Sequence, residues 1–475
     1  MKATMADKVE NKMGTAPVGG LIAGMAVPAM FSMLVQALYN IVDSFFVAKI
    51  SEEALTAVSL AFPIQSLLIA FAVGTGVGIN SLVSRRLGEG RKQEANSAAT
   101  HGLLLGLVNW AIFALFGLLF SRQFIQGFSN DPTVIEEGAR FVQIVCLFSF
   151  GVFIEINVER TLQATGRMIY PMIFQLIGAL TSLILDPIFI FGWFGVPAMG
   201  VPGAAIANVI AQCIAMTVSL VVLLKQKHEV KIELKGFRLD FHIIKDIYAV
   251  GIPTIIMQSI ASVMVMGMNL ILVRFTETAV ALFGVYFKLQ SFVFMPVFGL
   301  MQGVLPILGY NYGARKQERM TKAIRIGITV SAVIMAVGTV LLWIMPGRLL
   351  LIFKASPEML HIGIPALRII SLCFIPAALD IMFSTVFQSL GKGIYSLALS
   401  LLRQLVILLP AAFLLSHLSL TAVWYSFPIA ELGSLAAGIP LFIYVYRKMI
   451  QSLSGEGSKS SPLPKMPVVE ARSER

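Results

Sequence analysis

The sequence predicts an all-α polytopic membrane protein, twelve transmembrane helices in two pseudo-symmetric six-helix bundles. Three observations lead there. Of the 475 residues 57% are hydrophobic and only 13% charged, whereas soluble domains carry about 25% charge. Apolar segments of spanning length, bounded by charged or Gly/Pro-rich breaks, recur twelve times. The chain also repeats itself at a constant shift of 225 residues. A mean hydropathy of +0.84 excludes a soluble enzyme, a disordered chain and a secreted disulfide scaffold.

A helix needs about 20 mostly apolar residues to cross the hydrocarbon core. In chain order, such segments lie near 19–48, 55–84, 98–120, 134–159, 168–192, 200–225, 246–274, 279–309, 321–345, 359–388, 394–417 and 421–447. The first runs about 30 residues, too long for the apolar region of a cleavable signal peptide. The longest polar interval, Lys225 to Lys245, leaves six spans on either side. The expected organisation is a cytoplasmic N-terminus (1–18), an N-lobe (19–225), a cytoplasmic linker (226–245), a C-lobe (246–447) and a disordered cytoplasmic tail (448–475).

Charge sets the orientation. With the N-terminus inside, the inner segments hold 27 Lys and Arg and the outer loops 5. That asymmetry places both termini in the cytoplasm of a multi-pass protein of the plasma or inner membrane. The net charge of +11 is thereby assigned to topology, and nucleic acid is not expected as a partner. Cys146, Cys213 and Cys373 lie far apart in apolar stretches and read as small buried residues.

At the 225-residue shift Pro28 falls on Pro253, Gln65 on Gln290, Gly74 on Gly299, Pro132 on Pro357, Gln163 on Gln388 and Gly166 on Gly391. The segments Gly88–Glu94 and Gly313–Glu318 align if one residue is deleted. Because six is even, both halves start on the same side, so the repeats are parallel. Two like bundles facing each other form a cleft, the architecture of a secondary transporter.

Ionisable groups in a bilayer are costly and mark function. Five acids lie within spans: Asp43, Glu155, Asp186, Asp380 and Glu431. Gln36, Tyr39, Asn40 and Asp43 share one helical face beyond Pro28, and Gln175, Ser182 and Asp186 form a similar stripe. A pair such as Asp43 and Asp186 can exchange a proton or coordinate Na⁺ through oxygen. The repeat places Met268 opposite Asp43 and the neighbourhood of Pro410 opposite Asp186, so coupling is expected in the N-lobe alone. A second face holds Glu155, Glu159 and Gln163, matched by Asp380, Ser384 and Gln388. Each acid also admits a purely structural reading: Glu155 paired with Arg160, Asp380 with Arg403 or Arg368, Glu431 with Arg403. Gln36, Tyr39, Asn40, Gln65, Gln175, Glu155 and Asp380 are the candidate substrate contacts.

Enzyme signatures are missing. The sequence holds neither His-Glu-x-x-His nor Gly-x₄-Gly-Lys-Ser/Thr, and its five His are scattered. No catalytic residue, metal site or cofactor is expected beyond a coupling ion, H⁺ or Na⁺ at Asp43 and Asp186. Gly74-Thr-Gly-Val-Gly78 lies inside a span, where small residues allow close helix packing.

Several motifs together resemble one family. They are Val27-Pro28-Ala29 followed by Tyr39 and Asp43, Arg86-Leu-Gly-Glu-Gly-Arg91, Gln163-Ala-Thr-Gly166, Leu185-Asp186-Pro187 and Gly200-Val-Pro-Gly-Ala-Ala-Ile-Ala207. Over roughly residues 17–450 the chain resembles the multidrug and toxic compound extrusion (MATE) family, especially its MepA-like bacterial branch. The resemblance implies two six-helix lobes that export organic cations in exchange for H⁺ or Na⁺. It further implies that Asp43 and Asp186 are the coupling acids, with Ser182 and Asn208 at the neighbouring polar positions and Tyr39 beside them. Asp380 resembles the tenth-span acid of another branch.

The expected activity is antiport of small lipophilic cations by a monomer embedded in membrane lipid. With 33 Phe and 23 Met, apolar packing and cation–π contact suit such substrates. The alternative is a lipid-linked or metabolite exporter of the same superfamily. A polyanion carrier would line its cleft with basic residues, and within the spans only Lys288, Arg368 and Arg403 are available. A membrane enzyme would need clustered nucleophiles or metal ligands, and a receptor or scaffold would leave the buried acids unexplained.

Overall fold

The structure, a computed structural model, describes residues 11–225, 228–233 and 237–455. The side chains at 40, 41, 43–45, 47, 48, 52, 454 and 455 lie outside the described residues. All regular structure among them is helical. The elements are α1 (Lys12–Thr15), α2 (Val18–Ala48), α3 (Glu52–Gly88), α4 (Lys92–Gln126), α5 (Pro132–Leu147), α6 (Phe150–Ala164), α7 (Ile169–Phe191) and α8 (Val201–Lys225). The second half continues with α9 (Phe241–Leu272), α10 (Glu277–Gly313), α11 (Gln317–Ile344), α12 (Pro346–Ile352), α13 (Pro357–Ser371), α14 (Phe374–Ser389) and α15 (Gly393–Leu401). A π-helical turn (Leu402–Leu408) joins α15 to α16 (Leu409–Ser416), and α17 (Leu420–Trp424) and α18 (Ser426–Val445) complete the chain of spans.

Among the described residues ten helices are long and apolar enough to cross a membrane. Two bent pairs, α5/α6 at 44° and α13/α14 at 46°, bring the number to twelve if each pair is one span. A break inside a membrane frees backbone carbonyls that must find another donor. The Trp110 indole of α4 donates to the Leu147 carbonyl at 2.8 Å, and the Thr339 hydroxyl of α11 donates to the Ser371 carbonyl at 3.1 Å. The same fault, satisfied from the neighbouring helix, thus occurs in both halves.

The repeat is more regular in structure than in sequence. Gly166 and Gly391 adopt φ of 82° and 76°, and Gly90 and Arg315 adopt 75° and 56°. Arg91 donates its amide to Arg86 O and Lys316 donates to Asn311 O, closing the same turn. The turns therefore match at an unbroken shift of 225, and the one-residue deletion inferred from the Arg-Lys-Gln-Glu motif is not present. Arg315 takes the left-handed conformation that Gly90 adopts without a Cβ.

The two bundles meet along a seam built from small residues. Gly74 and Gly78 of α3 lie against Gly251, Ile255 and the Ile247 carbonyl of α9. Their repeat counterparts Gly299 and Gly303 of α10 lie against Met30 and Ala26 of α2. A Cβ at Gly74 would stand 2.9 Å from the Gly251 carbonyl, so these backbones can approach only because the side chains are missing. Each approach falls in the half of the span nearest Asn11 and the Tyr446–Thr321 hydrogen bond.

That end is further tied by α1. Asn11 donates to Thr165 O and to Glu229 in the N-terminal half. Arg319 in the C-terminal half donates to the carbonyls of Met13 and Ala16 at 3.0 and 2.7 Å. Part of the interval expected as a linker docks on the N-bundle: Asn96 donates to Glu233 and accepts from the Lys231 amide. Helix continues past position 448, the expected start of a disordered tail, as far as Gly455. Residues 456–475 lie outside the described residues.

Candidate functional site

Between the bundles lies a cavity of about 840 Å³. Its floor rests on the closed seam, where Asn80, Gln302, Leu305 and Gln388 come from α3, α10 and α14. Polar groups appear on this wall because two bundles, not lipid, face them. The cavity presents four carboxylates, Glu155, Glu159, Asp380 and Glu431, and two guanidinium groups, Arg160 and Arg403.

On the N-bundle side α6 carries Glu155 and Glu159 one helical turn apart. Glu159 accepts from Gln163 Nε2 at 2.8 Å and from Gln175 Nε2 at 3.1 Å. Arg160 donates to Gln163 Oε1 at 2.9 Å, and Asn80 Nδ2 reaches the same oxygen at 3.4 Å. Gln163 Nε2 also lies 3.5 Å from Gln302 Oε1 across the seam. A second cluster joins three helices. Tyr39 and Ser182 bring their hydroxyls within 3.0 Å, Asn208 donates to the Tyr39 hydroxyl at 3.1 Å, and Gln212 donates to Asn208 at 2.6 Å.

The C-bundle side is built differently. Arg403, its side chain 26% exposed to the cavity, pairs with the buried Glu431 at 3.1 Å. Asp380 lies against Gly438, whose missing side chain leaves room for the carboxylate. Around them Phe287, Phe294, Phe298, Phe427, Met257 and Met295 form an aromatic and thioether wall. Tyr286 stacks on Phe283 with centroids 6.2 Å apart.

The residues singled out in the sequence divide as follows. Gln36, Tyr39, Glu155, Gln175, Ser182, Asn208 and Asp380 all line the cavity. Gln65 does not, although its repeat counterpart Gln290 does. Asp186, 1% exposed, sits one turn beyond Ser182 on α7 and behind the cavity surface. Asn40 and Asp43 are on α2, but their side chains lie outside the described residues. Glu155 does not pair with Arg160, whose guanidinium is taken by Gln163. Asp380 likewise pairs with neither Arg403, which holds Glu431, nor Arg368, which binds the Trp343 carbonyl. Of the three basic residues expected within reach, only Arg403 lines the cavity.

Arg160, which by its place at the end of a span reads as a loop cation, is a buried wall residue. Asn80 and Gln302 were passed over because single amides in apolar spans carry no pattern. Their signal was the amide's cost in a bilayer. Among the described residues no group of three or more His, Cys, Asp or Glu is placed to hold a metal ion.

Comparison with known proteins gives a consistent picture. The MatE family model matches residues 28–188 and 253–414, one stretch in each bundle. The chain is 26% identical over 420 residues to the multidrug export protein MepA of Staphylococcus haemolyticus (strain JCSC1435), covering 88% of this chain and 91% of that protein. It is 25% identical over 459 residues to the probable multidrug resistance protein YoeA of Bacillus subtilis (strain 168), covering 94% and 98%. An outward-facing multidrug resistance MATE family transporter of the MOP superfamily matches with a TM-score of 0.87 at 25% identity, covering 96% of this chain and 100% of that one. A MOP superfamily transporter from Pyrococcus furiosus, described as having a binding pocket of reverse polarity that suggests a different function, matches with a TM-score of 0.86 at 26% identity, covering 96% and 100%.

Proposed function

The chain belongs to the MATE family of multidrug efflux transporters, and from that membership we propose that it is a secondary antiporter exporting lipophilic organic cations in exchange for H⁺ or Na⁺. One observation carries the substrate charge: the central cavity bears four carboxylates against two guanidinium groups. The aromatic and thioether wall of the C-bundle supplies packing for flat or bulky apolar bodies and cation–π contact. A polyanionic lipid carrier or an anionic metabolite would meet the wrong sign of charge here, which disfavours the alternative exporter.

Asp43 and Asp186 are the proposed coupling acids. The Tyr39–Ser182–Asn208–Gln212 cluster supports this assignment, since it sets hydroxyl and amide oxygens one turn from Asp186. With the seam closed at the inner end, ion entry at these acids favours cation release and reorientation. Gln36, Tyr39, Gln175, Glu155 and Asp380 are the proposed substrate contacts. The protein acts as a monomer of the cell membrane with both termini in the cytoplasm.

Proteoliposome exchange under imposed H⁺ and Na⁺ gradients tests the reading. Uptake of an ethidium-type cation against its own gradient, driven by one of the two ions, is expected. Cation flux indifferent to both gradients would overturn antiport, and transport of anions in preference to cations would overturn the substrate charge.

A further inference from the structure

We propose that the N-bundle floor of the cavity is a hydrogen-bond-accepting subsite, so that the protein takes cations with N–H groups, protonated amines and amidines, in preference to quaternary ammonium ions of the same body. The proposal rests on the cation-export reading and names the chemistry of its substrate head.

The direction of every amide on this floor is dictated by its partner. A carboxylate only accepts, so Gln163 and Gln175 must both turn their N–H groups toward Glu159. Gln163 Oε1 is then the acceptor for Arg160 and for Asn80 Nδ2. The consequence is that carbonyl oxygens are left over. Gln175 Oε1 and Asn80 Oδ1 are buried and have no partner, although both side chains line the cavity and Asn80 is only 2% exposed. Glu155, one turn before Glu159 and also on the wall, has no hydrogen bond or ion pair among the described residues. Against these acceptors stands one unused buried donor on this floor, Arg160 Nε.

A ligand head that fills this floor meets the side chains that carry those unpaired oxygens. A head with N–H groups supplies the missing hydrogen bonds and gains charge assistance from Glu155 and Glu159. A trimethylammonium head brings the same charge and no donor, so the amide oxygens stay unsatisfied. On the opposite wall Arg403 already holds Glu431, which leaves Asp380 as the unpaired carboxylate there, without the amide oxygens that flank Glu159. Its Phe287, Phe294 and Met295 suit the apolar body instead. Charge alone would treat the two heads alike; the amide directions separate them.

The test is direct binding to the full-length protein in lipid nanodiscs. The probes are a naphthylmethylammonium ion and its N,N,N-trimethyl analogue, at a pH where the amine is fully protonated. The primary ammonium ion is expected to bind at least about tenfold tighter, roughly 1.4 kcal/mol. In Gln175→Leu and Asn80→Leu the ratio falls toward one, while Glu155→Gln weakens both cations. Equal affinities in the unmodified protein, or a preference for the trimethyl ion, would overturn the proposal whether or not the variants fold. An unchanged ratio in folded Gln175→Leu and Asn80→Leu would overturn it as well. Failure of both cations to bind would overturn the cation-export reading too, which separates the two kinds of failure.

Discussion

The two walls of the cavity occupy equivalent positions in the repeat and have become chemically unlike. Glu155, Glu159 and Gln163 of α6 correspond to Asp380, Ser384 and Gln388 of α14. On the N-bundle side Glu159 is held by two amides, Glu155 is unpaired among the described residues, and the carbonyl oxygens of Gln175 and Asn80 are buried without partners. On the C-bundle side Glu431 is neutralised by Arg403, Asp380 is unpaired beside Gly438, and much of the remaining wall is aromatic and thioether. The difference teaches that the repeat conserves backbone geometry, bends and turns, while the wall chemistry is free to diverge. One wall reads a charged, donor-bearing head and the other packs against a body.

The sharpest way to break this comparison is at the proposed coupling acids. Asp43→Asn or Asp186→Asn is expected to reduce ion-driven cation flux by at least about a hundredfold, on the order of 3 kcal/mol. Introducing an acid at the equivalent C-bundle site, Met268→Asp, should not restore it, since Met268 is fully buried. Gradient-driven flux in proteoliposomes measures both. Full coupling in either Asn variant would move the coupling site out of the N-bundle.

A somewhat smaller effect concerns stability. Glu431→Ala leaves the half-buried Arg403 charged without its partner, a change that costs about 1–3 kcal/mol, below the penalty for a fully buried pair. The expected result is a clear drop in the detergent-solubilised melting temperature. The double change Arg403→Met with Glu431→Leu should recover most of it. If Glu431→Ala melts like the parent, the ion pair does not organise the C-bundle wall.

The smallest expected effect is where the segment after α8 docks on the N-bundle through His228. Burial pushes the His228 imidazole below its usual value, opposed by its hydrogen bond to the Val222 carbonyl. A depressed folded-state value means that neutral His228 stabilises docking above about pH 6.5. That contribution is lost as the pH falls through the lowered value. Hydrogen exchange at 230–233 should therefore rise modestly on acidification, and His228→Phe should remove the pH dependence. An unchanged profile in His228→Phe would assign the effect elsewhere.

Much of the fold was legible because membrane physics is strict. Twelve apolar stretches, a break after Lys225 and matching prolines at Pro132 and Pro357 specify the element order with little ambiguity. The cavity was less legible. In a water-soluble helix a polar stripe marks the outer face, but a lipid-facing wall and a packed wall are equally apolar. Helix rotation is then poorly encoded in the pattern. Gln65 and Gln290 show the limit, since equivalent residues face different surroundings. Arg160 shows another: a cation at a span's end looks like a topology signal until its burial is seen.

The sequence by itself determined the number of spans, the pairing of the halves and which residue types are too costly to be idle in a bilayer. Those follow from local hydrophobicity and from the expense of burying polar groups. Only the tertiary structure decided which of those groups meet. Whether Arg160 answers Glu155 or Gln163, and whether Arg403 answers Asp380 or Glu431, depends on distances between helices far apart in the chain. Hydrogen bonds and ion pairs are short-ranged and directional, so they are settled only when the two bundles have packed.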